Sequence, residues 1–282
     1  MKAAAELSLA AGPALAPRKR GPVGDLLKFR PLIQMLVVRE LKVRYKRSVL
    51  GLLWTMLNPL LLMVVYTIVF TTILPSGEPN FSVFLLSALL PWIFFSTALM
   101  QGLNSVLANQ ELIRKVRVPQ AVFPLSVVGS NLVNFGLSLV PLFALMLALR
   151  QPISIALVFL PVAVLLLTVF TSGVTLLFAT ATVFFRDVKH LTEVLLQMLM
   201  YLSPVLYDAS RLSGTSWWFR AFLTFLKLNP LSYLIPLVRD PVYYARFPSP
   251  VVVAVAAAWS VGALVTGFAV FTRLSPRHIH YL

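Results

Sequence analysis

The hydrophobic and polar positions of this chain fall into long, separate blocks. Five stretches of 26 to 35 residues contain no Asp, Glu, Lys or Arg. A helix of about 20 such residues crosses a hydrocarbon core about 30 Å thick. The pattern therefore predicts five membrane-spanning helices, within residues 48–77, 79–110, 118–149, 151–185 and 247–272.

A sixth span is predicted in a shorter uncharged stretch. Residues 194–207 lie between Glu193 and Asp208, and a helix over 191–207 would nearly cross the membrane with Glu193 at the interface. The expected fold class is therefore an all-α integral membrane protein, with a six-span transmembrane domain over residues 52–272.

Residues 31–51 are predicted to form an amphipathic helix that lies along the membrane interface. One face has an apolar or aromatic side chain at every fourth position, at Ile33, Val37, Leu41 and Tyr45. Another face has three cations, Arg39, Lys42 and Lys46. The apolar stripe is expected to sink into lipid while the cations meet anionic head groups. A plain basic flank with no further role is the alternative.

Residues 208–246 are too apolar for a solvated loop and too often interrupted for a span. Their aromatic side chains alternate with Arg211, Arg220, Lys227 and Pro230. The segment is predicted to form re-entrant helices on the outer side, between spans five and six. An aromatic belt anchored in lipid is the alternative interpretation.

The distribution of cations predicts the orientation of the chain. With both termini in the cytoplasm, the inner segments carry 18 Lys and Arg residues and the outer segments carry 6. Residues 1–30 are interpreted as a disordered cytoplasmic tail and not as a signal peptide, because Arg18, Lys19 and Arg20 follow the alanine-rich run. Residues 273–282 are expected to be a second cytoplasmic tail.

Composition removes most catalytic chemistry. The chain is 59% hydrophobic, has no cysteine and has three histidines, so no metal site and no cysteine nucleophile are expected. None of its 12 glycines precedes a lysine, so it has no P-loop for ATP phosphates. The five longest spans also lack ionisable residues for ion coupling. A half-transporter that draws its energy from a separate subunit fits these absences.

Two other classes of function stay open on these grounds. One is a membrane enzyme acting on lipid-linked sugars, with Asp208, Arg239 or Asp240 at an outer site. The other is a scaffold that transports nothing. Catalytic residues are otherwise not expected in this chain.

The short insert 109–119, on the predicted inner side, is a candidate docking loop. Leu112 and Ile113 are flanked by charges, and Pro119 is expected to end a short helix before the next span. An ordinary charged turn is the alternative.

A resemblance to a known family rests on motifs spread along the chain. They occupy residues 38–60, 90–96, 111–119, 123–126, 184–188, 203–204 and 229–231. In order and spacing these motifs resemble the permease subunits of bacterial polysaccharide-exporting ABC transporters, which serve O-antigen, capsule and teichoic acid. The first 30 residues are not part of the shared pattern.

The resemblance implies a homodimer in the inner membrane that carries two cytoplasmic P-loop ATPase subunits. Those partners would bind ATP and magnesium, so this chain needs no cofactor, and no nucleic acid is involved. The coupling residues would be Glu111, Leu112, Ile113, Arg114 and Lys115. The interface helix would act through Arg39, Lys42, Arg44 and Tyr45.

The implied cargo is a lipid-linked glycan of O-antigen type. Sugar rings stack on aromatic side chains, so aromatic residues are candidates to line its path. Those candidates are Tyr66, Phe70, Trp92, Phe94, Phe95, Tyr201 and Tyr207. An ABC permease for a drug or a small lipid is the alternative within transport.

Overall fold

The computed structural model of the chain describes residues 29–46, 51, 53–73, 77–115, 118–209, 214 and 216–278. Within these residues all regular secondary structure is helical. Residues 1–28 of the predicted tail 1–30 lie outside those ranges, and Arg30 of that tail begins the first helix. The helices are α1 (Arg30–Tyr45), α2 (Leu53–Ile68), α3 (Phe81–Leu103), α4 (Ser105–Ala108), α5 (Gln110–Lys115), α6 (Val122–Ala148), α7 (Leu160–Phe184), α8 (Val188–Leu202), α9 (Trp217–Leu228), α10 (Leu231–Val242) and α11 (Pro250–His278). A π-helical turn, Val69–Ile73, extends α2, and a 3₁₀ helix, Ile155–Phe159, precedes α7.

Five helices are long and apolar enough to cross a membrane, with lengths of 21 to 30 residues. Each lies within one of the five uncharged stretches, except that the last continues past Thr272. The predicted all-α membrane fold is therefore confirmed.

Helix α3 is the centre of the bundle. Of its most apolar 18-residue window, 78% is buried, against 6% for the α2 span. Helices α6, α7 and α10 surround α3 and supply much of the core around Phe84 and Leu89. The α2 span therefore leaves most of its apolar surface available to lipid or to another subunit.

Helices α7 and α11 pack backbone against backbone. A Cβ atom added to Gly173 would lie 2.2 Å from the carbonyl carbon of Ala263, and one added to Gly267 would lie 2.1 Å from the carbonyl oxygen of Gly173. Small residues at such crossings let membrane helices approach closely and gain van der Waals contact.

Helix α8, over the predicted fifth span, has 15 residues and ends where Ser203 and Pro204 turn the chain. Residues 203–206, which follow it, are buried. The helix falls short of the length needed to cross a membrane by itself. The predicted span 191–207 therefore consists of a short helix followed by a buried non-helical segment.

Helices α9 and α10 form the bent pair expected between spans five and six. Their axes meet at 74°. Near the bend, the Asn229 side-chain amide donates a hydrogen bond of 2.8 Å to Ser203 Oγ. The hydroxyl of Tyr244, just after α10, donates one of 2.6 Å to Asp208 Oδ2. The two ends of the segment 208–244 are therefore in contact with each other.

Helix α11 continues beyond the uncharged stretch as far as His278. The His278 ring is fully buried, its Nδ1 lies 2.7 Å from Gln120 Oε1, and it packs edge-on against Phe184 and Phe271. Arg273 and Arg277 stay exposed on the outside of the same helix. Most of the segment expected to be a tail is thus a packed helix end, while residues 279–282 lie outside the described part.

Candidate transport and coupling sites

Helix α1, where the interface helix was predicted, packs on the rest of the chain. Leu36 is buried against Val122 and Phe123 at the start of α6, and Ile33 joins the same cluster. Val37 lies over Gly129 of α6. The expectation that the stripe of Ile33 and Val37 faces lipid was therefore wrong, because α6 offers those side chains closer packing than acyl chains would.

The exposed side of α1 carries both apolar and charged groups. Its exposed apolar residues are Met35, Val38 and Val43. Its three predicted cations, Arg39, Lys42 and Lys46, are also exposed. This exposed side of α1, which faces away from α6, is the one available to lipid head groups.

Two other predicted residues of α1 turn towards the bundle. The Arg44 guanidinium donates hydrogen bonds to Gln101 Oε1 (2.5 Å) and to Asn131 Oδ1 (3.4 Å). Tyr45 donates one of 3.0 Å to Asn134 Oδ1. Partial burial raises the pKa of Tyr45, so its hydroxyl remains a donor at neutral pH.

The amides that receive these bonds form a polar cluster inside the bundle. Asn131 is 3% exposed, and its amide nitrogen donates to Gln101 Oε1 at 2.9 Å and to the Val127 carbonyl at 2.9 Å. Asn131, Asn134 and Ser138 are spaced by three and four residues and therefore share one face of α6. That spacing was visible in the sequence, but a search for charged residues in the spans does not detect neutral amides.

Pro59 creates a further polar feature beside this cluster. A proline within a helix has no N–H for the carbonyl four residues earlier, which here belongs to Thr55. Ser138 Oγ donates a hydrogen bond of 3.0 Å to that carbonyl. Helices α2 and α6 are joined in this way at the level of the polar cluster.

A cavity of about 300 Å³ opens between α1, α2, α3 and α6. Its polar end is formed by Arg44, Gln101 and the α6 amides, while Leu90, Phe94 and Phe135 close its apolar end. Trp54 and Asn58, both exposed on α2, also line it. The volume is at the lower end of the roughly 300–1,000 Å³ typical of small-molecule sites.

The short helix α5 carries the predicted coupling residues and divides them into two groups. Leu112 and Ile113 pack into the cluster that joins α1 to α6, and Ile113 also contacts the cluster around Phe271 of α11. Glu111 and Arg114 are exposed. Lys115 ends the helix, and its side chain lies outside the described part. The apolar pair therefore holds α5 in place and the charged pair is presented outwards.

The seven predicted path aromatics lie in different environments. Three are buried in the core of the single chain, namely Trp92, Phe94 and Phe95. Phe94 packs on Phe135 and Phe95 packs on Phe170, so both serve helix packing. Only Phe94 of these three reaches the cavity.

The other four lie nearer the surface. Tyr201 is 64% exposed. Tyr66 is half-buried and close enough to Tyr201 for electrostatic interaction. Phe70 packs on Phe81, and Tyr207 packs on Phe222 near the outer end of α8.

The acidic and basic residues around α10 form a network that ties loops together. Arg239 is 4% exposed, donates to the carbonyls of Val205 (2.7 Å) and Tyr207 (3.2 Å), and has its guanidinium carbon 4.0 Å from the centre of the Phe84 ring. Asp240 pairs with Arg246 at 3.0 Å. The residues considered for an enzyme site are therefore engaged in contacts within the chain.

Tyr243 extends the same network to two other loops. Its hydroxyl donates to the Pro79 carbonyl (2.6 Å) and to Glu78 (3.2 Å), and its carbonyl accepts from Gln151 (2.7 Å). Burial, together with the bond to Asp208, raises the pKa of the neighbouring Tyr244, which keeps that tyrosine a donor. In the described part of the chain, no group of three His, Asp or Glu side chains gathers to hold a metal.

Comparison with known proteins agrees with this architecture. Residues 31–243 match the ABC-2 type transporter family. The chain is 39% identical over 249 residues to the O-antigen export system permease protein RfbA of Myxococcus xanthus, covering 88% of this chain and 94% of that protein.

Two further relatives are more distant. An O-antigen export system permease protein RfbA of Klebsiella pneumoniae is 32% identical, covering 74% of this chain and 80% of that protein. The polysialic acid transport protein KpsM of Escherichia coli is 23% identical, covering 85% of this chain and 92% of that protein. With the helical bundle described above, these matches place the chain in the ABC-2 transporter family, as a multi-pass membrane member.

Proposed function

We propose that this chain is the permease subunit of an ATP-driven exporter that moves a lipid-linked polysaccharide of O-antigen type across the bacterial inner membrane. The observation that carries the proposal is the 39% identity to an O-antigen export permease over nearly the whole of that protein. ATP and magnesium would be bound by a separate ATPase chain. A permease for a drug or a small lipid is less well supported by this match.

Six crossings with both termini on one side are supported by how the ends of the segments meet, and the excess of Lys and Arg on that side supports the cytoplasm. Gln151 and Asp208 both contact the Tyr243–Tyr244 corner, so the start of the fourth span and the end of α8 lie on one side. In this proposal helix α8 returns the chain across the membrane from Phe184. Its 15 residues supply about 22 Å, and the non-helical segment 203–208 continues from its end.

The hydrogen bond between Asp208 and Tyr244 also bears on the α9–α10 pair. A segment whose two ends touch begins and ends on the same side of the membrane, so the pair is re-entrant in this proposal. The break between the two helices is buried against protein at Asn229, as irregular backbone at membrane depth would require.

A homodimer is the assembly that best uses the exposed α2 span. Only 6% of its most apolar window is buried within one chain, and Tyr66 and Tyr201 lie at the open side formed with α8. Two such sides facing each other would enclose a path with tyrosines along it, where sugar faces can stack. The glycan path proposed here therefore includes Tyr66, Phe70, Tyr201 and Tyr207 but not the buried Trp92 and Phe95.

Coupling is assigned to the outward face of α5. Replacing Glu111 and Arg114 together with alanine is expected to lower export by about tenfold while membrane insertion stays normal, because these side chains are exposed and support no packing. The measurement is surface polysaccharide per cell, normalised to the permease in the membrane. The matched control is Arg277→Ala, which removes an exposed cation on the same side of the membrane.

Leu112→Ala separates coupling from anchoring. It should lower both export and the thermal stability of the permease, because Leu112 belongs to the cluster that holds α5 against α1 and α6. Full export by the Glu111 and Arg114 double variant would remove the coupling role from this face.

The overall proposal is tested in the cells that express this chain. Deletion of its gene should abolish surface polysaccharide and leave lipid-linked glycan in the inner leaflet, and the wild-type gene should restore export. Affinity purification in mild detergent should recover a P-loop ATPase in equal amount. Normal polysaccharide in the deletion strain, or a permease without any ATPase, would contradict the proposal.

A further inference from the structure

We propose that the cavity between α1, α2, α3 and α6 binds the anionic head of the lipid carrier, with Arg44 as the residue that recognises it. The proposal rests on the export function above and names the site at which its cargo is first held. The ligand class is a phosphoryl group attached to an apolar chain.

The partners of the cation that line the cavity are neutral amides, and its one carboxylate partner among the described residues, Glu40, is not part of the lining. A charged side chain at membrane depth is costly and is usually neutralised by a nearby opposite charge. Arg44 donates to the amide oxygens of Gln101 and Asn131, and it also forms an ion pair of 3.8 Å with Glu40, whose side chain is 47% exposed to solvent. No carboxylate is among the described residues that line the cavity. The cavity therefore has a net positive charge.

The amides hold the guanidinium in one orientation. Gln101 Oε1 accepts from both Arg44 and Asn131, and Asn131 is itself fixed by its bond to the Val127 carbonyl. A guanidinium has five N–H donors in a rigid fork that matches the oxygens of a phosphoryl group. Gln101 and Asn131 therefore prepare Arg44 for an oxyanion without cancelling its charge.

The remainder of the cavity suits the other parts of such a ligand. Further donors and acceptors come from Tyr45, Asn134 and Thr97, while Phe94 and Phe135 form an apolar end. Trp54 and Asn58 of α2 also line the cavity and are exposed on the surface of the chain. The volume of about 300 Å³ accommodates a head group with the adjoining sugar or chain, and not a polysaccharide.

The test is calorimetric titration of the purified transporter, permease with ATPase, using short-chain probes that dissolve freely. Geranyl phosphate carries both features of the ligand, inorganic phosphate and geraniol carry one each, and dihexanoyl phosphatidylglycerol represents bulk anionic lipid. Geranyl phosphate is expected to bind the wild type at least about tenfold more tightly than the other three, which is about 1.4 kcal/mol.

Substitutions then locate the site. Arg44→Gln should weaken geranyl phosphate binding about tenfold or more, and Arg44→Lys should restore part of it because the charge is kept but not the fork. The matched control is Arg30→Gln, an exposed arginine on the same helix, which should bind normally. If Arg44→Gln does not fold, Asn58→Asp serves instead, since it adds an anion at an exposed position of the cavity.

Several results would overturn the proposal. Unchanged affinity in Arg44→Gln and Asn58→Asp would move the site elsewhere. Equal binding of phosphatidylglycerol would make the cavity a bulk-lipid site, and equal binding of inorganic phosphate would make it a free-phosphate site. If wild-type and Arg44→Gln permeases both restore surface polysaccharide fully, the cavity proposal fails alone. If the wild type restores none, the proposed export function fails.

Discussion

Replacing Gly267 with alanine is expected to reduce the amount of folded permease severely. The new methyl carbon would lie 2.1 Å from the carbonyl oxygen of Gly173 and 2.8 Å from the carbonyl carbon of the same residue. Both are backbone atoms that cannot rotate away. The α7–α11 crossing would have to open, at a cost of about 1–3 kcal/mol for alanine and more for valine. The measurement is the thermal midpoint of the detergent-solubilised protein, together with the yield of monodisperse material.

The same helix provides the control for this effect. A Cβ added to Gly262 meets nothing within 4 Å, so Gly262→Ala is expected to be neutral or to stabilise α11 by up to about 1 kcal/mol through helix propensity. Gly173→Ala should behave like Gly267→Ala, because its Cβ would lie 2.2 Å from the Ala263 backbone. Equal stability of the Gly262 and Gly267 variants would show that the two helices are not packed this closely.

Replacing Arg239 with methionine is expected to release the α9–α10 pair from the rest of the bundle. Arg239 is the donor to the carbonyls of Val205 and Tyr207, and each buried carbonyl left unpaired costs about 1–3 kcal/mol. The contact with the Phe84 ring would lose its cation as well. We expect a clear fall in the thermal midpoint and loss of export.

Arg246→Met is the comparison for Arg239→Met. Arg246 is largely exposed and pairs with Asp240 at 3.0 Å, so its removal should cost less. Arg239→Lys keeps the charge, but a lysine ammonium cannot donate to both carbonyls as the forked guanidinium does. The thermal midpoint of this variant should lie between those of the wild type and Arg239→Met. Wild-type stability in Arg239→Met would mean that the outer network does not hold α10.

Hydropathy was sufficient to locate most of the fold. Each of the five long uncharged stretches contains a helix of spanning length, because hydrocarbon tolerates charge so poorly that its absence marks the span. The bend in residues 208–246 was also predictable, since Pro230 and the basic residues interrupt an otherwise apolar segment. The short α8 was harder to interpret because part of its crossing is not helical.

Which face each side chain presents was less predictable. Apolar residues at every fourth position, such as Ile33 and Val37, indicate an apolar face. This spacing does not distinguish lipid from α6 as the neighbour of that face. Aromatic residues have the same ambiguity, since Phe95 packs in the core while Tyr201 is exposed, and nothing in their local sequence separates them. The Arg44 cluster depends on residues distant in sequence, which composition and spacing alone do not bring together.

The buried end of α11 has a consequence for how the protein is made. Ile113 of α5 packs in the same cluster as Phe271, and His278 contacts Gln120 in the turn that follows α5. The coupling surface proposed on α5 would therefore be complete only after the ribosome has synthesised the chain through His278. Chains that end before His278 would lack the contacts of α11 with Ile113 and Gln120. The ATPase would then be recruited to full-length permeases and not to truncated ones.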